Sequence, residues 1–288
     1  MTYRARASPL HAARAAAALL WCLALVVAAL VQSNPIVLGS VVLAILAGGV
    51  AAGVRRDLLR ALRLALPLAI TIAVINALVS RNGLTVIWRL GDLPVLGQTD
   101  VTLEATVYGG ILGLRAAALV LCGALYTLAV DPDNVLRLFR RFSFRSALTA
   151  TIATRLVPVL LRDSRRLAEA QRCRPGPPPG RLELMRATTA GVFDRSLDVA
   201  AALEVRGYGA ARRPPRGSGA PWSRHDLAFA ASGVAVIVVA VASRAAGLAP
   251  FTAYPSLRLG AGPGVWALAA ALSLLALAPF ADRRGIER

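Results

Sequence analysis

The residues with the clearest chemical potential are arginines placed where helices should stop. Leu203-Glu204-Val205-Arg206-Gly207-Tyr208-Gly209 closes one apolar-striped segment, and Ala170-Gln171-Arg172-Cys173-Arg174-Pro175 closes another. A guanidinium offers a planar fork of N–H donors that stays charged, so it can grip carboxylates or carbonyls of a second molecule in fixed geometry. The competing reading is local. A cation in the last turn complements the helix macrodipole, and a glycine just beyond is a common left-handed cap. The occurrence of two such ends, Arg206 and Arg174, favours a gripping role, because mechanical coupling to a soluble partner needs that geometry.

Other chemistry is poorly provided for. All 33 basic residues are Arg, and a phosphate-binding P-loop needs its lysine, so any ATPase must be a separate subunit. Asp131-Pro132-Asp133-Asn134 is the closest approach to a carboxylate-rich Mg²⁺ site of the prenyl-diphosphate kind. It reads better as a helix start with Pro132 in the first turn. Cys22, Cys122 and Cys173 form no CxxC pair, which argues against a disulfide or zinc site. His11 and His225 are isolated beside apolar runs. No catalytic residue, metal or cofactor is expected.

The elements that must position these arginines are two amphipathic helices. A three-to-four spacing links Leu182, Met185, Val192, Val199 and Leu203 and extends to Arg206. A second stripe, Leu148, Ile152, Leu156, Val159, Leu167 and Ala170, extends to Arg174, with Pro158 set to kink that helix. Pro175-Gly176-Pro177-Pro178-Pro179-Gly180 separates the two, and Arg212-Arg213-Pro214-Pro215-Arg216-Gly217 leads away.

The rest of the chain is membrane-like: 288 residues, 57% hydrophobic, with mean hydropathy +0.61. Apolar runs near 15–32, 36–54, 64–80, 105–130, 226–247 and 263–281 each approach the ~20 residues that a ~30 Å hydrocarbon core requires. Asn76 and Arg115 fall inside two of these runs and should face other helices, Arg115 toward Glu104 or a backbone carbonyl. The N-terminal run is read as a first span, since it is longer than a cleaved signal's apolar region and Val31-Gln32-Ser33-Asn34-Pro35 is a poor cleavage exit.

A net charge of +18 could suggest nucleic acid, but the arginines gather between apolar runs and no stacking aromatics accompany them. Arg4, Arg6 and Arg14 share a side with Arg55, Arg56, Arg60, Arg63, Arg283, Arg284 and Arg288, while Arg81, Arg89 and Arg258 lie opposite. The segment 131–225, with 18 Arg against 8 acidic residues, joins the first group. The expectation is an all-α membrane protein. It has about six spans divided as 1–130 and 226–288, both termini cytoplasmic in the plasma membrane, and a cytoplasmic pair of long helices in 131–225.

These motifs in this order resemble the transmembrane T component of energy-coupling factor (ECF) importers, the EcfT/CbiQ type. In that family two coupling helices end in Ala-Arg-Gly signatures that dock into grooves of two ATPase subunits. Glu204-Val205-Arg206-Gly207-Tyr208 is similar to the second signature, with Val205 in place of Ala. Cys173-Arg174-Pro175 is similar to the first, with Cys for Ala and Pro for Gly, and Arg172 stands near enough to substitute. Arg155-Leu156-Val157-Pro158, Asp194-Arg195-Ser196-Leu197 and Gly113-Leu114-Arg115 share the likeness. The resemblance implies a non-catalytic subunit. It would carry ATP-driven motion of two ABC-type ATPases to a membrane substrate-binding S component, for uptake of a vitamin or a metal ion such as cobalt. A prenyltransferase-like membrane enzyme, an ordinary ABC permease and a passive scaffold are the alternatives.

Overall fold

A computed structural model describes residues 3, 6–80, 83–93, 97–139, 144–173, 180–207, 221–282 and 284, with backbone alone at 88–93, 97–100, 139, 144–148 and 181. Contacts divide the chain into two units, Met1–Val135 with Pro221–Arg288, and Leu136–Ala220.

In the first unit every expected span is an apolar helix. After a short α1 (Pro9–Ala12), α2 (Ala15–Val31) and α3 (Pro35–Ala51) follow, joined at Asn34, whose side chain accepts the Ile36 N–H ahead of Pro35. Asparagine cap and first-turn proline together explain why the chain breaks and restarts here. α4 (Arg55–Val79) and α5 (Leu103–Ala129) come next, then α9 (Arg224–Ala245) and α10 (Pro263–Leu277), which a 3₁₀ turn extends to Phe280. Four of these are long and apolar enough to cross a bilayer: α4, α5, α9, and α10 with its extension. α2 and α3 are apolar too but have 17 residues each, the short end of the usual range.

Two features differ from the expectation. α4 begins at Arg55, well before the apolar run at 64, because Leu58, Ala61 and Ala65 recur on one buried face and Asp57 pairs with Arg60 one turn on. Two connections between apolar runs, where an all-α protein has no strands, fold into antiparallel hairpins, β1 (Val86–Leu93) with β2 (Gly97–Thr102) and β3 (Phe251–Thr252) with β4 (Arg258–Leu259). Glu104, buried at the start of α5, fixes the first hairpin's base by accepting the Thr85 hydroxyl at 2.8 Å and the Thr85 N–H at 3.2 Å.

The core of this unit is built on Trp21. Its ring meets Phe229 and Phe280 edge to face at 5.7 and 5.6 Å, and its indole N–H donates to the Ala276 carbonyl at 3.1 Å. Gln32, almost fully buried, donates to the Ala240 carbonyl and the Ser243 hydroxyl. Asp226 closes α9's capping box with Ser223 and receives the backbone N–H of Arg14 at 2.6 Å.

The second unit contains the second half of α6 (Pro132–Phe139), α7 (Phe144–Arg172) and α8 (Arg181–Val205). α6 starts as the Asp131-Pro132 pair suggests, the Asp131 carboxylate accepting the Asp133 N–H at 3.0 Å. The residues first weighed as a metal site are thus a helix cap.

Candidate functional site

α8 owes its end to two residues. Arg206 is the C-cap, with φ −78° and ψ 5°, and its N–H still bonds the Ala202 carbonyl. Gly207 then turns to φ +72° and donates to the Glu204 carbonyl at 2.8 Å. Positive φ is what glycine tolerates and other L-residues resist. Among the described residues a side chain at position 207 would meet no neighbour, so the constraint they show is backbone conformation. Glu204, Val205, Arg206 and Gly207 are all exposed, and Val205 is 89% accessible. An apolar, an acidic and a cationic side chain thus stand together on a sharply terminated helix tip. Such a tip can offer a guanidinium and a small apolar contact to a concave partner.

α7 ends more plainly. Arg172 is its last residue and Cys173 follows in a turn, its N–H bonded to the Glu169 carbonyl at 3.3 Å; both are exposed. Arg174, with Pro175, lies outside the described residues, as does Tyr208. Pro158 sits inside α7 as expected.

The two helices pack along the seam that the spacing suggested: Ile152, Leu156, Val159 and Leu167 of α7, and Val192, Val199 and Leu203 of α8, are partly buried. Leu182, Met185 and Ala170, placed in the same stripes, are exposed. An ion pair between Arg195 and Asp163 at 2.8 Å pins the helices to each other. From that pin Arg206 lies 11 residues along α8 and Arg172 nine along α7, about 17 and 14 Å at the α-helical rise. Sequence reasoning missed Asp163, since nothing in a separation of 32 residues marks it as a partner. Beyond the seam, Val157 and Leu161 of α7 and Phe193 and Leu197 of α8 are each more than half exposed.

In the first unit the intramembrane polar residues have definite surroundings. Arg115 donates through Nη2 to the Gln32 carbonyl at 2.8 Å and the Ser33 hydroxyl at 3.3 Å. Of the two kinds of partner expected, it has the carbonyl; Glu104 is occupied by Thr85. Asn76, on α4, is half-buried. Gly109 and Gly113 let α4 approach α5 there: a methyl at Gly113 would stand 2.5 Å from the Ala69 carbonyl oxygen. The Gly109-x-x-x-Gly113 spacing was the available signal for that close crossing.

The fold and these two helix ends define a class: a polytopic helical membrane protein carrying a separate pair of long helices. The family model described as cobalt transport protein, CbiQ, matches residues 6–215, a stretch that includes α2 to α8 and both helix ends. The chain belongs to this family and is a transport protein. Among curated proteins none matches.

Proposed function

We propose that this chain is the T component of an ECF-type importer, embedded in the plasma membrane with both termini and the α7–α8 unit in the cytoplasm. The α8 tip, with Arg206 foremost, docks one ATPase subunit, and the α7 end, through Arg174 with Arg172 beside it, docks the other. Closure of the ATPase dimer on ATP shifts the helix pair, and the membrane unit passes that movement to a substrate-binding S component carrying a metal ion or vitamin. The chain itself performs no catalysis.

The single observation that supports this most is the α8 tip: an exposed Val205-Arg206 held at a sharp stop by Gly207 at φ +72°. A cap that served only its own helix would not need the neighbouring apolar exposure. Family membership and the arginine asymmetry of the connections add to it. The test is co-purification of ATPase subunits with the tagged chain, alongside uptake. Losing one partner of an interfacial charge pair costs about 2–5 kcal/mol, roughly 30- to 4000-fold in affinity. Arg206→Ala is expected to lose the ATPase and uptake while inserting normally. Full complex and full uptake in Arg206→Ala would reduce the tip to a cap.

A further inference from the structure

α4 carries one stripe whose chemistry changes partway along. Arg56, Arg60, Arg63, Pro67, Ile70 and Val74 recur at alternating spacings of four and three residues, which sets them in one row along the helix. All six are exposed. The opposite side holds buried Leu58, Ala61 and Ala65, and the close crossing with α5 brings Ala69 and Ala73 against Gly113 and Gly109. Among the described helices long enough to cross a bilayer, α4 is the least covered by the rest of the protein.

The cationic end of this row keeps most of its charge for an outside partner. The first nine residues of α4, Arg55 to Arg63, contain four arginines and one acid, Asp57. Its carboxylate takes Arg60 at 2.8 Å and Arg6 at 3.7 Å. Among the described residues Arg56 and Arg63 form no ion pair. An exposed guanidinium matches a phosphodiester in both charge and geometry. Beyond the arginines the row is apolar. From Arg63 to Val74 it runs eleven residues, about 16 Å at the helical rise and close to one leaflet, half of a ~30 Å hydrocarbon core. An acidic soluble partner would match the arginines and leave the apolar half of the same row unexplained. A phospholipid matches both halves, because it too passes from anion to hydrocarbon along its length.

We propose that this stripe of α4 is a binding surface for an anionic phospholipid. Its phosphate sits on Arg56 and Arg63, and its acyl chains lie along Pro67, Ile70 and Val74. A zwitterionic lipid brings an ammonium along with its phosphate, and the row holds no carboxylate to receive it. The surface lies wholly within the first unit and is independent of what the α8 tip docks.

The experiment uses the full chain in vesicles of phosphatidylethanolamine and phosphatidylcholine. These carry a trace of either phosphatidylglycerol or phosphatidylcholine with a photoactivatable diazirine at mid-chain. After irradiation, peptide mapping reads adducts in residues 64–79, with the labelling of α9 and α10 as internal reference. Phosphatidylglycerol is expected to mark that segment about fivefold or more above phosphatidylcholine, roughly the attraction of one arginine near an anionic surface. Arg56→Gln combined with Arg63→Gln should bring the ratio close to one and leave the melting temperature unchanged, since both side chains are exposed. Arg165→Gln combined with Arg186→Gln, at exposed positions of α7 and α8, removes the same charge elsewhere and should keep the ratio. The proposal is overturned by a ratio near one in the unaltered chain, by an unchanged ratio in the α4 variant, or by equal loss in both variants. Absence of lipid adducts on α4 while other spans are labelled would mark a protein partner on this face and overturn it too.

Discussion

The membrane unit and the α7–α8 pair solve the same problem, packing helices, in opposite ways. In the first unit Trp21, Leu25, Leu38, Ile45, Leu121, Leu125 and Phe229 are essentially inaccessible, and buried Gln32, Glu104 and Asp226 have several hydrogen bonds each. Among the described residues from Leu136 to Gly207 none is buried, and the seam is held by partly covered side chains and one half-exposed ion pair. A pair that leaves Val157, Leu161, Phe193 and Leu197 more than half accessible gains little stability from within. The contrast teaches that the two units answer to different pressures: one to internal order, the other to surface offered outward.

That contrast can be broken by mutation, and the largest effect is expected at Trp21. Trp21→Ala removes two edge-to-face contacts and a hydrogen bond, and should cost about 3–5 kcal/mol of stability, read as a lower melting temperature in detergent. Arg206→Ala should leave that melting temperature unchanged and cost about 2–5 kcal/mol in ATPase affinity, read by titration of the purified subunit. If the two variants exchanged readouts, the division between order and offered surface would fail. A smaller effect belongs to Gly113→Val, which pushes on the Ala69 carbonyl and should destabilise by about 1–3 kcal/mol. Gly110→Ala, with open space beside it, should not destabilise. Gly207→Ala should loosen the α8 tip by about 1–2 kcal/mol, the cost of positive φ, and weaken docking without changing insertion. Smallest is the Asp163–Arg195 pair, whose coupling in a double-mutant cycle should be about 0.2–1 kcal/mol because both side chains are more than a third exposed.

The apolar runs made the membrane helices legible, since a run of ~20 apolar residues has few other uses. The stripe ending at Arg206 and the glycine beyond it were legible for a related reason: helix termini write their requirements into adjacent residues. What stayed hidden depends on contacts distant in the chain. Arg195 on α8 meets Asp163 on α7, Arg115 meets the carbonyl of Gln32, and no residue type announces which backbone oxygen a guanidinium will find. The hairpin at 86–102 escaped because its residues neither alternate cleanly nor carry a tight-turn signal. α4's early start escaped because its first turns are rich in arginine, and only three small or apolar positions betray the buried face.

Asp226 has a consequence for the order of assembly. Its carboxylate holds the start of α9 and, 212 residues away in sequence, the start of α2, while Arg14 reaches the Pro221 carbonyl. α2 packs extensively against α9, so this helix finds a principal neighbour only after the whole helical pair has been synthesised. Until then its small-residue face of alanines waits in the bilayer. At ~5–20 residues per second that interval lasts on the order of ten to forty seconds, long enough for quality-control proteases to sample an unfinished membrane unit. The Arg14–Asp226 clasp therefore closes only once the start of α9 has been made.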